Sequence, residues 1–152
     1  MKKTGLTLLV ALALCNFVFG QKNFTLSSPD GKVKAEINIG ETIEYSVFHQ
    51  TDLLLSKSPV SLRFTDGTSP GINAKLKKAT KMSVNEVIDA VIYKKNKISD
   101  NYNELILSFR GDYNLIFRAY NDGVAYRFST DRKKPFTVEN EQAEFNFPGD
   151  PK

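Results

Sequence analysis

Three acidic residues in the second half of the chain are candidates for acid–base chemistry. Cleavage of a glycosidic bond commonly uses two carboxyl groups about 5–10 Å apart, one on each side of the bond. Glu104 lies at the start of a predicted strand, whereas Asp112 and Asp122 lie in predicted hairpin turns. An aspartate in a turn usually hydrogen-bonds the local backbone. We therefore assign no catalytic residue to this chain.

Two arginines, Arg118 and Arg127, flank the predicted turn 121–123. Paired strands on either side of this turn would bring a guanidinium group near a carboxylate of a neighbouring strand, such as Glu104. The favoured interpretation is a structural ion pair or a solvated face. The alternative is a binding surface that consists of Glu104, Arg118, Asn121, Asp122 and Arg127.

The chain has few residues that could bind a metal ion or form a nucleophile activated by histidine. His49 is the only histidine and Cys15 is the only cysteine, and Cys15 lies in the N-terminal leader. No His/Cys metal cluster and no Ser–His or Cys–His pair can be built around several partners from this set. We expect no metal or other cofactor in this chain, and we assign His49 to a turn.

Residues 1–20 have the features of a secretory signal peptide. Two lysines precede the apolar segment 6–14, and a small-residue cleavage site follows. The apolar segment is too short to span a bilayer. We therefore expect a secreted or periplasmic domain over 21–152, with no membrane association after cleavage. A lipoprotein anchored through Cys15 is the less favoured alternative, because Leu14 stands where a small residue is expected.

The formal net charge is +4, and the signal peptide supplies part of it. Lysines on strands and loops usually form solvated faces and protect sheet edges from pairing. The two lysine clusters are Lys75, Lys77, Lys78 and Lys81, followed by Lys94, Lys95 and Lys97. We expect no nucleic-acid partner for a secreted chain with so small a net charge.

Alternation of apolar and polar residues predicts β-strands over most of the chain. The alternating segments are 33–39, 43–48, 60–65, 105–110, 115–120, 124–129 and 144–147. Asp-Gly and Gly-Asp turn signals recur between them at short intervals. The pattern predicts an all-β protein, an antiparallel β-sandwich.

Two local features need separate predictions. The sequence Asn121-Asp122-Gly123 predicts a tight hairpin with Gly123 at positive φ. Segment 83–93 is ambiguous, because its apolar residues also fit one face of a helix and its start resembles a capping box. Its β-branched residues favour a strand over 87–93, and a helix remains the alternative.

The segment Arg118-Ala-Tyr-Asn-Asp-Gly-Val-Ala-Tyr-Arg127 resembles a signature of the N-terminal domain of glycoside hydrolase family 97. Further segments are similar to that domain in the same order, and the likeness extends over roughly residues 24–152. These segments are 28–34, 43–47, 58–62, 102–105 and 139–148. Segment 93–97 departs from the family pattern, so that loop is expected to differ.

This resemblance implies an incomplete sandwich of the large, super-sandwich type. It also implies the non-catalytic, carbohydrate-associated N-terminal part of a secreted α-glucosidase or α-galactosidase. The partner would be a catalytic (β/α)8 barrel in cis, which would supply the catalytic acids and most ligands of a calcium ion. The ligands would be α-linked glucosides or galactosides. The alternative is a free-standing secreted carbohydrate-binding or surface-interaction module, and a complete small hydrolase is the least favoured hypothesis.

Overall fold

The computed structural model describes residues 21–89 and 96–149. Within these ranges the chain forms nine β-strands. They are β1 (Lys22–Ser27), β2 (Val33–Ile39), β3 (Ile43–His49), β4 (Asp52–Phe64), β5 (Leu76–Asp89), β6 (Lys97–Phe109), β7 (Tyr113–Tyr120), β8 (Gly123–Thr130) and β9 (Val138–Ala143). The predicted all-β class is confirmed.

The strands form two antiparallel sheets that pack face to face. One sheet has five strands in the order β1-β2-β3-β4-β9, and the other has four strands in the order β5-β6-β7-β8. Neighbours in each sheet are mostly joined by short hairpins, and the chain changes sheet between β4 and β5 and again between β8 and β9. This arrangement is the predicted β-sandwich.

Alternating side chains of both sheets build one core. On the five-stranded sheet Ala35, Ile43 and Val60 are fully buried, and on the four-stranded sheet Leu107 and Phe117 face them. The tilted rings of Tyr45, Phe117 and Tyr126 meet between the sheets with centroids 5.7–5.9 Å apart. The alternation in the sequence therefore marks the core face correctly on most strands.

The ambiguous segment at 83–93 belongs to a long strand. Strand β5 pairs with β6 continuously from Lys78 to Asp89, so the helical alternative is wrong over 83–89. Residues 90–93 lie outside the described residues, as do Lys94, Lys95 and the predicted signal peptide 1–20. β5 is an edge strand of its sheet, the position where exposed lysines discourage pairing with another chain.

The last predicted strand is displaced. We expected alternation to continue through 144–147, but β9 ends at Ala143. Beyond this residue the chain still runs beside β4, where the Ser58 hydroxyl accepts the Asn146 N–H at 3.0 Å. The ladder does not continue regularly, because β4 offers Pro59, which has no N–H, and Lys57, which has a φ of 41°.

The prediction for Gly123 is wrong. The hairpin between β7 and β8 has two turn residues, Asn121 and Asp122, and Gly123 already pairs with Tyr120 in the ladder. None of these three consecutive residues, 121–123, has a positive φ. Gly123 is a strand residue with extended backbone, so it does not need the freedom of glycine. The assignment of His49 to a turn is also wrong, because His49 is the last residue of β3 and pairs with Val33 and Asp52, and the turn begins at Gln50.

Candidate functional site

The register of the four-stranded sheet places Glu104 of β6 directly opposite Arg118 of β7. Their sequence neighbours Leu105 and Phe117 are fully buried between the sheets. Because side chains alternate along a strand, Glu104 and Arg118 lie on the outer face. The Nε–H of Arg118 donates to Oε2 of Glu104 at 2.6 Å. The predicted meeting of these two residues is therefore confirmed.

Two tyrosines complete this group. Cζ of Arg118 lies 4.2 Å from the ring centroid of Tyr102, the geometry of a cation–π contact. The ring of Tyr102 also contacts that of Tyr120, with centroids 5.1 Å apart. We call Tyr102, Glu104, Arg118 and Tyr120 the Arg118 cluster. One ion pair and two aromatic rings thus hold the Arg118 side chain in a fixed position.

Burial and charge set the chemistry of the cluster. The side chain of Glu104 is 7% exposed and that of Arg118 is 32% exposed. The hydrogen bond to Glu104 raises the pKa of Arg118 above its ordinary value, against the opposing effect of burial. Burial also raises the pKa of Tyr102. The guanidinium therefore stays charged and the phenol stays protonated near neutral pH.

The carboxylates do not form a pair that could flank a glycosidic bond. Glu104 is engaged by Arg118, as the favoured structural interpretation predicts. Asp112 and Asp122 lie in the turns at opposite ends of β7. A strand of this length spans about 26 Å, well beyond the roughly 5–10 Å that the chemistry needs. Among these three residues, the described structure therefore contains no pair of carboxyl groups placed to flank a glycosidic bond.

The other predicted site residues are dispersed. Oδ1 of Asn121 accepts the backbone N–H of Asp30 at 3.1 Å, which joins the β7–β8 turn to the β1–β2 turn. Asp122 is exposed in the same turn as Asn121. Arg127 is exposed on β8 opposite Ile116, so it shares the outer face with Arg118 but does not join the ion pair. The structure thus brings together Glu104 and Arg118 and leaves the remaining three apart from them.

Sequence reasoning missed the two tyrosines of the cluster. Tyr102 lies two residues before Glu104, and Tyr120 lies two residues after Arg118. A spacing of two on a strand places both side chains on the same face. This spacing is the signal that could have identified them.

Other kinds of site were sought in the same ranges, 21–89 and 96–149. There, no three side chains of His, Cys, Asp or Glu lie close enough together to hold a metal ion. Among these residues there is also no helix that could span a bilayer.

Comparison with known proteins identifies the domain. The family model described as glycosyl-hydrolase 97 N-terminal matches residues 26–152. The chain belongs to this family. The resemblance of the 118–127 hairpin and of its neighbouring segments is therefore confirmed.

Relatives of the family 97 domain are much longer than this chain. It is 43% identical over 151 residues to a retaining alpha-galactosidase of Bacteroides thetaiotaomicron, a match that covers 99% of this chain and 22% of the relative. A family 97 glycoside hydrolase from Pseudoalteromonas sp. strain K8, solved with acarbose, is similar with a TM-score of 0.73 and 22% identity, over 82% of this chain and 20% of that one. A beta-arabinopyranosidase structure has a TM-score of 0.75 and 24% identity, over 84% and 22%. The two structures support the fold alone.

Proposed function

We propose that this chain is the non-catalytic, carbohydrate-associated N-terminal portion of a secreted or periplasmic α-glycosidase. In this proposal it packs on a catalytic (β/α)8 barrel in cis and shapes the sugar site there. The observation that carries the proposal is the match to an alpha-galactosidase, which takes in nearly all of this chain and about a fifth of the relative. We propose α-linked galactosides as the substrate class and α-linked glucosides as the alternative.

The outer face of the four-stranded sheet is the surface that we propose for contact with the barrel. A sheet face that only meets water is usually polar. Here Met82, opposite Glu104, and Ile98, opposite Ile88, are 47% and 37% exposed on the outer face, beside the buried Tyr102 and Ile116. Such a face, with the ion pair of Arg118 set into it, resembles the core of an interface more than a solvated surface.

Calcium is proposed only for the barrel. The described residues offer no cluster of three acidic or imidazole ligands, and Glu104 is already paired with Arg118. The donor set on these strands therefore does not fit a calcium site. Any calcium chemistry of the complete enzyme would use ligands outside these strands.

A chimera tests the proposal. The matched N-terminal part of the Bacteroides thetaiotaomicron alpha-galactosidase is replaced by this chain, and kcat/KM is measured with an aryl α-galactoside. We expect the chimera to be active and the chain alone to show no turnover. A folded but inactive chimera, or turnover by the chain alone, would contradict the proposal.

Two variants in the chimera test the contact surface. Arg118→Ala should lower kcat/KM by about tenfold, a loss of about 1.4 kcal/mol, because the cluster would no longer shape the barrel surface. Arg132→Ala is the matched control, since Arg132 also forms an ion pair, with Asp66 at 2.9 Å, beside β4 and away from this face. Equal kcat/KM values for the two variants would remove the Arg118 cluster from the proposal and leave the domain assignment intact.

A further inference from the structure

A second polar surface lies on the outer face of the five-stranded sheet, on the opposite side of the sandwich from the Arg118 cluster. It is a groove across β1, β2 and β3, with a volume of about 470 Å³. This volume falls within the roughly 300–1,000 Å³ range of small-molecule sites. We call it the β1–β3 groove, and its polar lining includes Asn23, Thr25, Glu36, Asn38, Glu44, Ser46 and the cation Lys57.

The sheet register arranges these side chains in two rows. Asn38 is opposite both Asn23 and Glu44, which makes one row across three strands. Glu36 is opposite Thr25 and Ser46 in the next row on the same face. Strands lie about 4.8 Å apart and alternate residues about 7 Å apart, so the groove presents a grid of amide, carboxylate and hydroxyl groups.

Much of the hydrogen-bonding capacity in the first row is unused. Nδ2 of Asn38 donates to Oδ1 of Asn23 at 2.6 Å, which leaves Oδ1 of Asn38 and Nδ2 of Asn23 open. The side chain of Glu44 is half-buried, and among the described residues it has no hydrogen-bond or ion-pair partner. A half-buried carboxylate without a protein donor favours a ligand that brings its own donors.

The groove beside β4 and β9 shows the contrast. Three of its polar side chains satisfy one another, because Ser61 donates to Oε1 of Gln142 at 3.1 Å and Nε2 of Gln142 donates to Oε1 of Glu144 at 2.7 Å. The amide of Gln142 thus has protein partners for both Oε1 and Nε2, whereas Oδ1 of Asn38 and Nδ2 of Asn23 in the β1–β3 groove have none among the described residues.

A β-bulge forms one wall of the β1–β3 groove. The register between β3 and β4 shifts on both sides of Val47, and Lys57 adopts a φ of 41°. The backbone N–H of Lys57 donates to Oγ of Ser46 at 3.0 Å, which fixes this hydroxyl in the groove. Bulges of this kind often redirect side chains beside binding sites.

We propose that the β1–β3 groove binds a neutral oligosaccharide through its hydroxyl groups. The Glu44 carboxylate would accept hydrogen bonds from sugar hydroxyls, and the two asparagine amides would both donate and accept. Positive and negative charges balance in the groove, because Glu36 engages Lys34 at 2.7 Å and Lys57 lines the groove together with the unpaired Glu44, so the groove should not select a charged glycan over a neutral one. The groove has no exposed aromatic platform on which a sugar ring could stack, so the affinity should be millimolar. This inference does not depend on the proposed barrel contact, because it concerns the chain alone.

A titration of the purified chain tests the inference. Backbone amide NMR signals are followed while melibiose or maltotriose is added up to tens of millimolar. We expect saturable shifts confined to β1, β2 and β3, with a millimolar Kd for at least one sugar. The absence of shifts, or shifts that map to the Arg118 cluster, would overturn the proposal.

Variants and a charged sugar sharpen this test. Asn38→Ala and Glu44→Gln should each weaken binding at least fivefold, with thermal melts like that of the parent chain. Asn114→Ala is the matched control, because Asn114 also makes one side-chain amide hydrogen bond, to Ser129 at 3.4 Å, on the outer face of the other sheet. Its Kd should be unchanged, and digalacturonic acid should bind no more tightly than melibiose. Equal loss in Asn38→Ala and Asn114→Ala, or tighter binding of the acid, would contradict the proposed site.

Discussion

Strand β7 ends in a hairpin turn on each side, and the two turns differ in construction. The turn before it, 110–112, places Gly111 at a φ of 94° and Asp112 at a φ of 57°. The turn after it consists of Asn121 and Asp122 and uses no left-handed residue. The first turn therefore depends on left-handed backbone, with Asp112 also contacted by the side chains of Lys77 and Thr130, whereas the second turn needs no left-handed residue and is tied to the rest of the molecule by side-chain contacts.

Those contacts are of two kinds. Arg118, two residues before the end of β7, is held by Glu104 and Tyr102. Asn121 accepts a hydrogen bond from the backbone of Asp30 in the β1–β2 turn of the other sheet. Each turn has an Asp next to a Gly, yet these residues have different roles in the two turns. The contacts made with neighbouring strands decide the role in each turn.

The largest effect should follow the loss of Arg118. Arg118→Ala leaves the buried Glu104 carboxylate without its partner and should lower the free energy of unfolding by about 2–3 kcal/mol. The exposed Arg127, on the same face, provides the control, and Arg127→Ala should change stability by less than about 0.5 kcal/mol. Urea denaturation of both variants measures the difference. Equal midpoints would mean that the ion pair adds nothing to this end of β7.

The next largest difference in stability should come from substituting Gly111, in the first turn, and Gly123, directly after the second turn. Gly111→Val forces a β-branched residue into a left-handed conformation and should cost about 1–3 kcal/mol. Gly123→Val adds a side chain to an extended strand position, where no atom lies within 4 Å of the new Cβ, and should cost under about 0.5 kcal/mol. Thermal unfolding of the two variants checks this order. A larger loss of stability for Gly123→Val than for Gly111→Val would support the positive φ at Gly123 that the sequence alone predicts.

The packing of Tyr45 of β3 against the middle of β7 should make the stability of the protein sensitive to alkaline pH. Tyr45 packs on Phe117, and burial raises its pKa from 10.0 to about 12. Because folding favours the neutral phenol, this contribution is complete below about pH 10 and is lost as the pH rises through about 12. Near pH 11 the parent chain should lose up to about 1 kcal/mol more than Tyr45→Phe, relative to pH 8. Parallel pH profiles for the two proteins in denaturant titrations would contradict the assignment.

The smallest effect should come from the contact between the turns. Asn121→Ala removes the acceptor of the Asp30 N–H and should cost about 0.5–1 kcal/mol. Asp122→Ala, the exposed neighbour, should be close to neutral. Hydrogen exchange of the Asp30 amide should accelerate in the first variant and stay unchanged in the second. Unchanged exchange in both would show that the bond does not restrain the β1–β2 turn.

The sequence by itself determined the class of fold and most of the core. Period-two alternation needs only the local geometry of a strand, so it marked β2, β3, β6, β7 and β8 and their buried faces. The ordered segments around the 118–127 hairpin were enough to indicate the family, which the match over residues 26–152 confirms. The pairing of Glu104 with Arg118 could also be anticipated, because the two residues lie at equal distances on either side of Gly111 in the Gly111-Asp112 turn signal.

Only the tertiary structure decided how those strands use their residues. The φ angles at Gly111 and Gly123 depend on the register across each hairpin, and a turn that contains Gly and Asp is compatible with more than one register. The end of β9 at Ala143 likewise depends on the proline and the bulge that β4 presents from far away in the sequence. The open hydrogen-bonding groups of the β1–β3 groove exist because the register aligns three strands side by side. The end of β9 and the groove rest on contacts between distant segments, so no local pattern could have given them.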